Sequence, residues 1–218
     1  MQRTSFRGFF RSGFRTGLVL PAAALASVML GTAASAAVPA DVSHGVPAGA
    51  RTPSARGCAI VYFDLGETLV HTAADSGISY LPGAAAYLRT LRERHIEVGL
   101  ITNVPSSWGK TDAERAAALK KEVDGAWKGP VPFAWEDFGD RILTPRTEAE
   151  RKPAPALWKR AKAAAHGCRL VYEGETAKET YVAASLGYVA YRVGRPFLPA
   201  YLPVRVVECL AYGSRRGA

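Results

Sequence analysis

Residues 59–70 read Ala59-Ile60-Val61-Tyr62-Phe63-Asp64-Leu65-Gly66-Glu67-Thr68-Leu69-Val70. The first five form a short apolar run with β-branched and aromatic side chains. That pattern marks a strand buried on both faces, the kind that parallel sheets use. An acid, Asp64, stands where the strand ends. In open α/β sheets ligands bind beyond the carboxyl ends of the strands. An acid at such an end is therefore a candidate for chemistry, besides the common use of Asp in turns and helix caps.

The rest of the chain alternates strands and helices. Pro82 to Arg94 reads as a helix with Ala85, Leu88 and Leu91 on one face, and Glu97-Val98-Gly99-Leu100-Ile101 as a second buried strand. Thr111 to about Asp124 is a helix, opened by a capping box of Thr111 and Glu114 and stopped at Gly125. Arg141-Ile142-Leu143 is a short strand. Pro155 to His166 is an Ala-rich helix, with Pro at its start and Gly167 at its end. Arg169 to Tyr172 is a strand, Thr176 to Leu186 a helix, and Tyr188 to Val193 a strand. Val204 to Tyr212 is read as a further strand. This alternation predicts βαβ units: a three-layer, Rossmann-like α/β fold with a parallel sheet and helices on both faces.

Four element ends carry chemistry-bearing residues in order. The first is Phe63-Asp64-Leu65-Gly66-Glu67-Thr68-Leu69-Val70, and the second is Leu100-Ile101-Thr102-Asn103. The third is the Lys-Pro step Glu150-Arg151-Lys152-Pro153, and the fourth is Glu173-Gly174-Glu175-Thr176-Ala177-Lys178-Glu179. In this order and spacing they resemble the four motifs of the haloacid dehalogenase-like (HAD) superfamily, over about residues 58–195. The resemblance implies an Mg²⁺-dependent phosphatase of phosphomonoesters. Asp64 would be the nucleophile, forming an acyl phosphate and splitting one hard displacement into two easier ones. Thr102, with backbone N–H groups near Asn103, would hold phosphoryl oxygens. Lys152 would neutralise phosphoryl charge. Asp64, the Gly66 carbonyl, Glu175 and Glu179 would hold the metal, which takes oxygen ligands. For Glu179 a rival exists, because Thr176 and Glu179 also spell a capping box.

The sequence departs from the family pattern twice. Phosphatases of the family usually carry a second Asp two residues after the nucleophile, as general acid and base; here that position is Gly66. General acid–base catalysis is typically worth ~10²–10⁴ in rate. Glu67 is one residue off and points another way. The second departure is Glu175 and Glu179 where the family has Asp. These departures motivate a second reading, a catalytically inactive module that binds a phosphorylated or anionic ligand or a protein. A dehalogenase, using Asp64 without metal, is a more distant alternative.

Asp64 and Thr102 are separated by 37 residues, and Thr102 and Lys152 by 49. Neither gap holds a large cap domain, so the expected substrate is a phosphorylated small molecule or a larger phosphoester. The aromatic segment with Trp108, Trp127, Phe133, Trp135 and Phe138 either rims the open mouth or packs a loop onto the core.

The whole chain has 218 residues, 28 Lys+Arg and 19 Asp+Glu, for a net charge of +9. Residues 1–36 combine four arginines with an apolar run, Leu18–Leu30, and the small-residue site Ala34-Ser35-Ala36. They read as a signal peptide for export to a periplasm or the outside. An uncleaved membrane anchor and a mitochondrial transit peptide are the alternatives. Without 1–36, 24 basic residues face 19 acidic ones and the charge is +5. That is no case for nucleic acid, and no membrane span is expected after cleavage. Residues 37–56 read as a flexible linker, 57–213 as the HAD-like domain and 214–218 as a basic tail. Three Cys exclude a disulfide-dense scaffold. Cys58 lies six residues before Asp64, and Cys168 six before Gly174. If their strands are neighbours, as in the family, an oxidising compartment would let them pair, though two free thiols remain open. Cys209 is read as a core residue.

Overall fold

The computed structural model describes residues 58–212; the expected signal, linker and basic tail lie outside the described residues. Seven strands occur in this span: β1 (Ala59–Phe63), β2 (Val70–Thr72), β3 (Ile78–Tyr80), β4 (Glu97–Ile101), β5 (Ile142–Leu143), β6 (Arg169–Gly174) and β7 (Val189–Arg192). Five helices accompany them: α1 (Ala84–Glu93), α2 (Asp112–Ala126), α3 (Ala156–Ala164), α4 (Ala177–Ser185) and α5 (Val204–Tyr212). Five strands form one sheet in the order β5-β4-β1-β6-β7. Every neighbouring pair in it is parallel. This is a doubly wound order with β1 at its centre, as the sequence predicts.

All five residues of β1 are buried, because helices cover both of its faces. Alternate side chains enter different cores. Val61 and Phe63 pack with residues of α1, α2 and α5, including Leu88, Leu91, Val123 and Val207. Ile60 and Tyr62 pack with Leu157, Trp158 and Ala161 of α3 and Ala183 of α4. The same alternation along β6 sends Tyr172 to the second core and Glu173 towards the first. Gly99 of β4 is required by close approach: a Cβ there would stand 2.4 Å from the Tyr62 ring and 2.9 Å from the Arg141 carbonyl.

Two helices differ from their predicted form. Val204–Tyr212 is the helix α5, not a strand. Its Val content suggests β structure, but Val207 and Ala211 are four apart and both buried, which suits a helix face, and Pro203 sits just before it. The exposed Cys209 lies away from that buried face, so it is no core residue. Helix α2 runs through Gly125 to Ala126, while its Thr111–Glu114 capping box forms as expected.

Cys58 and Cys168 are joined by a disulfide with Cα atoms 4.8 Å apart. They precede β1 and β6, whose register pairs Ala59 with Arg169. Among the described residues no large cap covers the sheet. The chain after β1 makes only the β2–β3 hairpin before α1. The aromatic segment packs inward, which settles its two readings for the core. Phe133 and Phe138 are buried. Tyr80 of the hairpin stacks on Phe133 at 5.2 Å and meets Trp127 edge-on at 5.0 Å. Among the described residues no helix is long and apolar enough to cross a membrane.

Candidate active site

The site lies at the carboxyl ends of β1, β4 and β6. The Asp64 N–H donates to the Glu173 carbonyl at 2.9 Å, carrying the β1–β6 ladder one residue past the strand. This fixes the Asp64 backbone before the chain turns away. Its side chain follows the alternation of β1 to the α3–α4 face. There Oδ1 accepts from the Leu65 N–H at 2.7 Å and from Lys152 Nζ at 2.8 Å. Oδ2 takes no hydrogen bond from the described residues, and 11% of the side chain is exposed.

Lys152 is the hub. Its side chain is 1% exposed, which is sustainable for an ammonium only with partners for its charge and protons. Nζ reaches Asp64 Oδ1, Glu179 Oε2 at 2.8 Å and the Tyr172 hydroxyl at 3.3 Å. The Tyr172 hydroxyl in turn donates to Glu179 Oε2 at 2.8 Å. Asn103 fixes the lysine from the backbone side. Its Oδ1 accepts the Lys152 N–H at 2.8 Å, and its Nδ2 donates to the Lys152 carbonyl at 3.2 Å. Thr102, one residue earlier, is buried at the end of β4, its N–H on the Leu143 carbonyl.

Glu175 stands on the other side of the nucleophile loop. The Thr68 hydroxyl donates to its Oε2 at 3.0 Å and accepts its N–H at 3.2 Å. The Thr176 hydroxyl donates to Oε1. Thr176 makes no side-chain cap for α4, so the capping-box alternative for Glu179 is not formed. Gly66 bridges to Val70 in the same loop. The Glu67 carboxylate pairs with His71 Nδ1 at 3.0 Å in an exposed position.

Charges in this dry setting perturb one another. Burial pushes the Asp64 carboxyl up to about 6; the Lys152 charge opposes this and the Glu175 charge adds to it. Burial pulls the Lys152 ammonium down, but Asp64 and Glu179 outweigh it and hold it above the usual lysine value. Burial, with Asp64 and Glu179 nearby, raises the Tyr172 hydroxyl well above its ordinary value. Lys152 and Tyr172 therefore keep their protons and remain donors.

The structure thus brings Asp64, Lys152 and Glu179 into direct contact and places Asn103 on the Lys152 backbone. Glu179, expected at the metal, instead holds Lys152. Among the described residues no group of three or more His, Cys, Asp or Glu is gathered as a metal cage. The oxygen donors left are Asp64, Glu175 and the Gly66 carbonyl. The repulsion between Asp64 and Glu175 is what a divalent cation would relieve. Mg²⁺ commonly binds through one or two carboxylates with waters and substrate phosphate, so this small set suits it. Two residues escaped the sequence reading. Tyr172 is an aromatic inside a strand and gave no chemical signal. Thr68 gave only its place four residues after Asp64.

No family model matches the sequence, and no curated protein is similar enough to count as a relative. Solved structures are similar at low identity. A HAD-like phosphatase candidate from Mesorhizobium loti is 15% identical, with 73% of this chain and 90% of that one covered and a TM-score of 0.47. A HAD family enzyme from Bacteroides thetaiotaomicron is 14% identical, with 65% and 97% covered and a TM-score of 0.45. An L-2-haloacid dehalogenase is 17% identical, with 58% of this chain covered and a TM-score of 0.40; the match spans about half, 49%, of its length. At these scores the likenesses decide nothing about activity.

Proposed function

We propose that this chain is a HAD-like hydrolase acting as a metal-dependent phosphatase of phosphomonoesters. The observation that carries the reading is Asp64, buried at the end of the central strand. Lys152 Nζ holds one of its oxygens at 2.8 Å and the other has no hydrogen-bond partner among the described residues.

Asp64 Oδ2 attacks phosphorus, the bond from phosphorus to the ester oxygen breaks, and the leaving group departs with that electron pair as alkoxide or phenoxide, taking its proton from solvent water. Water then attacks the phosphorus of the aspartyl phosphate and gives its proton to solvent, the bond from phosphorus to Asp64 Oδ2 breaks, and phosphate and the free carboxylate result. Lys152 neutralises charge on the phosphoryl oxygens, Glu179 and Tyr172 keep it aimed, and Asn103 fixes its backbone. Thr102 is the candidate partner for a phosphoryl oxygen. Asp64, Glu175 and the Gly66 carbonyl would hold Mg²⁺, which supplies charge neutralisation at the phosphoryl group. No side chain at Gly66 protonates the leaving group, and Glu67 is committed to His71.

The test is hydrolysis of p-nitrophenyl phosphate with Mg²⁺, with Mn²⁺ and with neither. Turnover with metal that is lost in Asp64→Asn supports the reading. No turnover with any metal overturns it for activated esters. The absence of an acid at position 66 favours the second reading in that event, a module that binds a phosphorylated or anionic ligand.

Export is part of the same proposal. The signal-like residues 1–36 support it, and so does the Cys58–Cys168 pair, since disulfides persist in oxidising compartments. Secretion of the full chain by its host, with cleavage after Ala36, is the expected result. A cytosolic, uncleaved chain would refute it.

A further inference from the structure

The β1–β6 ladder ends at the Asp64 N–H, so it does not fix the loop that follows Asp64. Glu67 has φ of 52°, and the loop's own bonds are few: Leu69 and Val70 N–H to the Leu65 carbonyl, and Glu67 N–H to the Val70 carbonyl. Further support comes from the Leu81 N–H on the Leu69 carbonyl at 2.9 Å and from a segment far along the chain. The Tyr201 hydroxyl donates to the Thr68 carbonyl at 2.7 Å. Thr68 in turn holds Glu175 through its hydroxyl and the Glu175 N–H.

Next to Tyr201, Leu202 closes a second contact. Its N–H donates to Glu173 Oε2 at 3.0 Å. Glu173 is fully buried, one of the few buried acids in the domain, and takes no part in the proposed chemistry. Its Oε1 accepts from the Tyr87 hydroxyl at 2.8 Å, which also lies 2.7 Å from the Leu202 carbonyl. The Tyr87 and Tyr201 rings stack at 4.8 Å, only 11° from parallel. Among the described residues Glu173 has no salt-bridge partner; burying a carboxylate in that setting is costly, and here it serves to receive this segment. Alternation along β6 makes the arrangement possible: Tyr172 faces Lys152 on one side of the sheet while Glu173 faces Tyr201–Leu202 on the other.

We infer that Tyr201–Leu202 is a strap that sets the position of the nucleophile loop, with Tyr201 a positioning residue for Asp64 and Glu175. Among the described residues the strap makes no hydrogen bond to Asp64, Lys152 or Glu175. It acts through the Thr68 carbonyl on one side and Glu173 on the other. Small displacements of a reacting group cost rate steeply. The inference rests on the proposed phosphatase reading for its kinetic arm and is independent of it for its structural arm.

Tyr201→Phe removes only the hydroxyl and keeps the ring stack on Tyr87. Losing one hydrogen bond of ordinary strength predicts a fall in kcat of between about three-fold and ten-fold. KM for p-nitrophenyl phosphate should stay within about two-fold, because binding groups are untouched. Amide hydrogen exchange at Leu69 and Val70 should quicken by about the same factor as the lost bond. Tyr87→Phe, which removes the hydroxyl that meets Glu173 Oε1 and the Leu202 carbonyl, should act in the same direction. A merely structural role would lower the melting temperature while kcat of the folded enzyme and loop exchange stayed unchanged; that result overturns the strap. If the unsubstituted chain shows no turnover, the phosphatase reading fails, and loop exchange in Tyr201→Phe and Tyr87→Phe alone decides the strap. Unchanged exchange in both variants refutes it.

Discussion

Removing the disulfide tests how the domain is held together without touching its chemistry. Cys58 and Cys168 are 110 residues apart in sequence. Closing a loop of that size removes unfolded-chain entropy worth about 5 kcal/mol in the chain-entropy treatment, and native disulfides typically contribute about 2 to 5 kcal/mol. The native side of the ledger should change little. The Arg169 N–H donates to the Cys58 carbonyl at 2.8 Å, and the β1–β6 register holds without the sulfurs. Cys58 is exposed and Cys168 half-buried, so Cys58→Ala with Cys168→Ala opens no core cavity. The double variant should lose between about 2 and about 5 kcal/mol in urea unfolding at pH 7. Its m-value should rise, because the uncrosslinked chain exposes more surface when it unfolds. Six strand steps separate Cys58 from Asp64, on the order of 20 Å, so turnover of the folded variant should be unchanged. A loss below about 1 kcal/mol would show that the crosslink does not stabilise the domain as expected, and a lost rate in the folded variant would show that it reaches the site.

Asp112 receives Arg115, Arg146 and Arg160, and joins α2 to α3 and to the chain after β5. Burial pushes its carboxyl up, but the three guanidinium groups outweigh this and hold it at about 2. A depressed carboxyl stabilises above its unfolded value and loses that contribution as pH falls through the folded one. Discounted for its partial exposure, Asp112→Asn should cost about 1–2 kcal/mol at pH 7 and about half of that at pH 3. Equal costs in urea melts at the two pH values would sink this. Gly99→Ala should destabilise by about 1–3 kcal/mol through overpacking against Tyr62 and the Arg141 carbonyl; a neutral thermal melt would refute the close approach. Chelation by EDTA should abolish phosphatase turnover and Mg²⁺ should restore it. With Gly66 in the general acid's place, aryl phosphates should be cleaved faster than alkyl phosphates, by up to ~10²–10⁴. Equal rates on the two would show that another acid has been recruited.

The sheet was legible because its central strands are continuous apolar runs that local pattern suffices to identify. The meeting of Asp64 with Lys152 was legible in outline, because Asp64 follows a strand end and Lys152 opens a Lys-Pro step; Thr102 also follows a strand end, but its hydrogen bond runs to the Leu143 carbonyl and not to either of them. Helix α5 was not, since nine residues with three valines fit strand propensity, and only packing of Val207 and Ala211 decides the period. Glu179 shows tertiary contact overriding a local motif. A charge-assisted bond to a buried ammonium is stronger than one to a solvated N–H, so the side chain goes to Lys152 and not back to its own helix. The strap left no local trace, because Tyr201 meets Thr68 across 133 residues and Tyr87 meets Leu202 across 115. The possible disulfide was legible as an equal offset of two cysteines from two strand ends, which became a pairing only once β1 and β6 proved adjacent.

In the proposed reaction Asp64 carries the phosphoryl group between two displacements. The direct measurement is peptide mass analysis of the enzyme quenched in acid during p-nitrophenyl phosphate turnover. The expected result is the mass of one added phosphoryl group on the peptide containing Asp64, absent from Asp64→Asn. Continued turnover with the phosphoryl group on any other residue would contradict it.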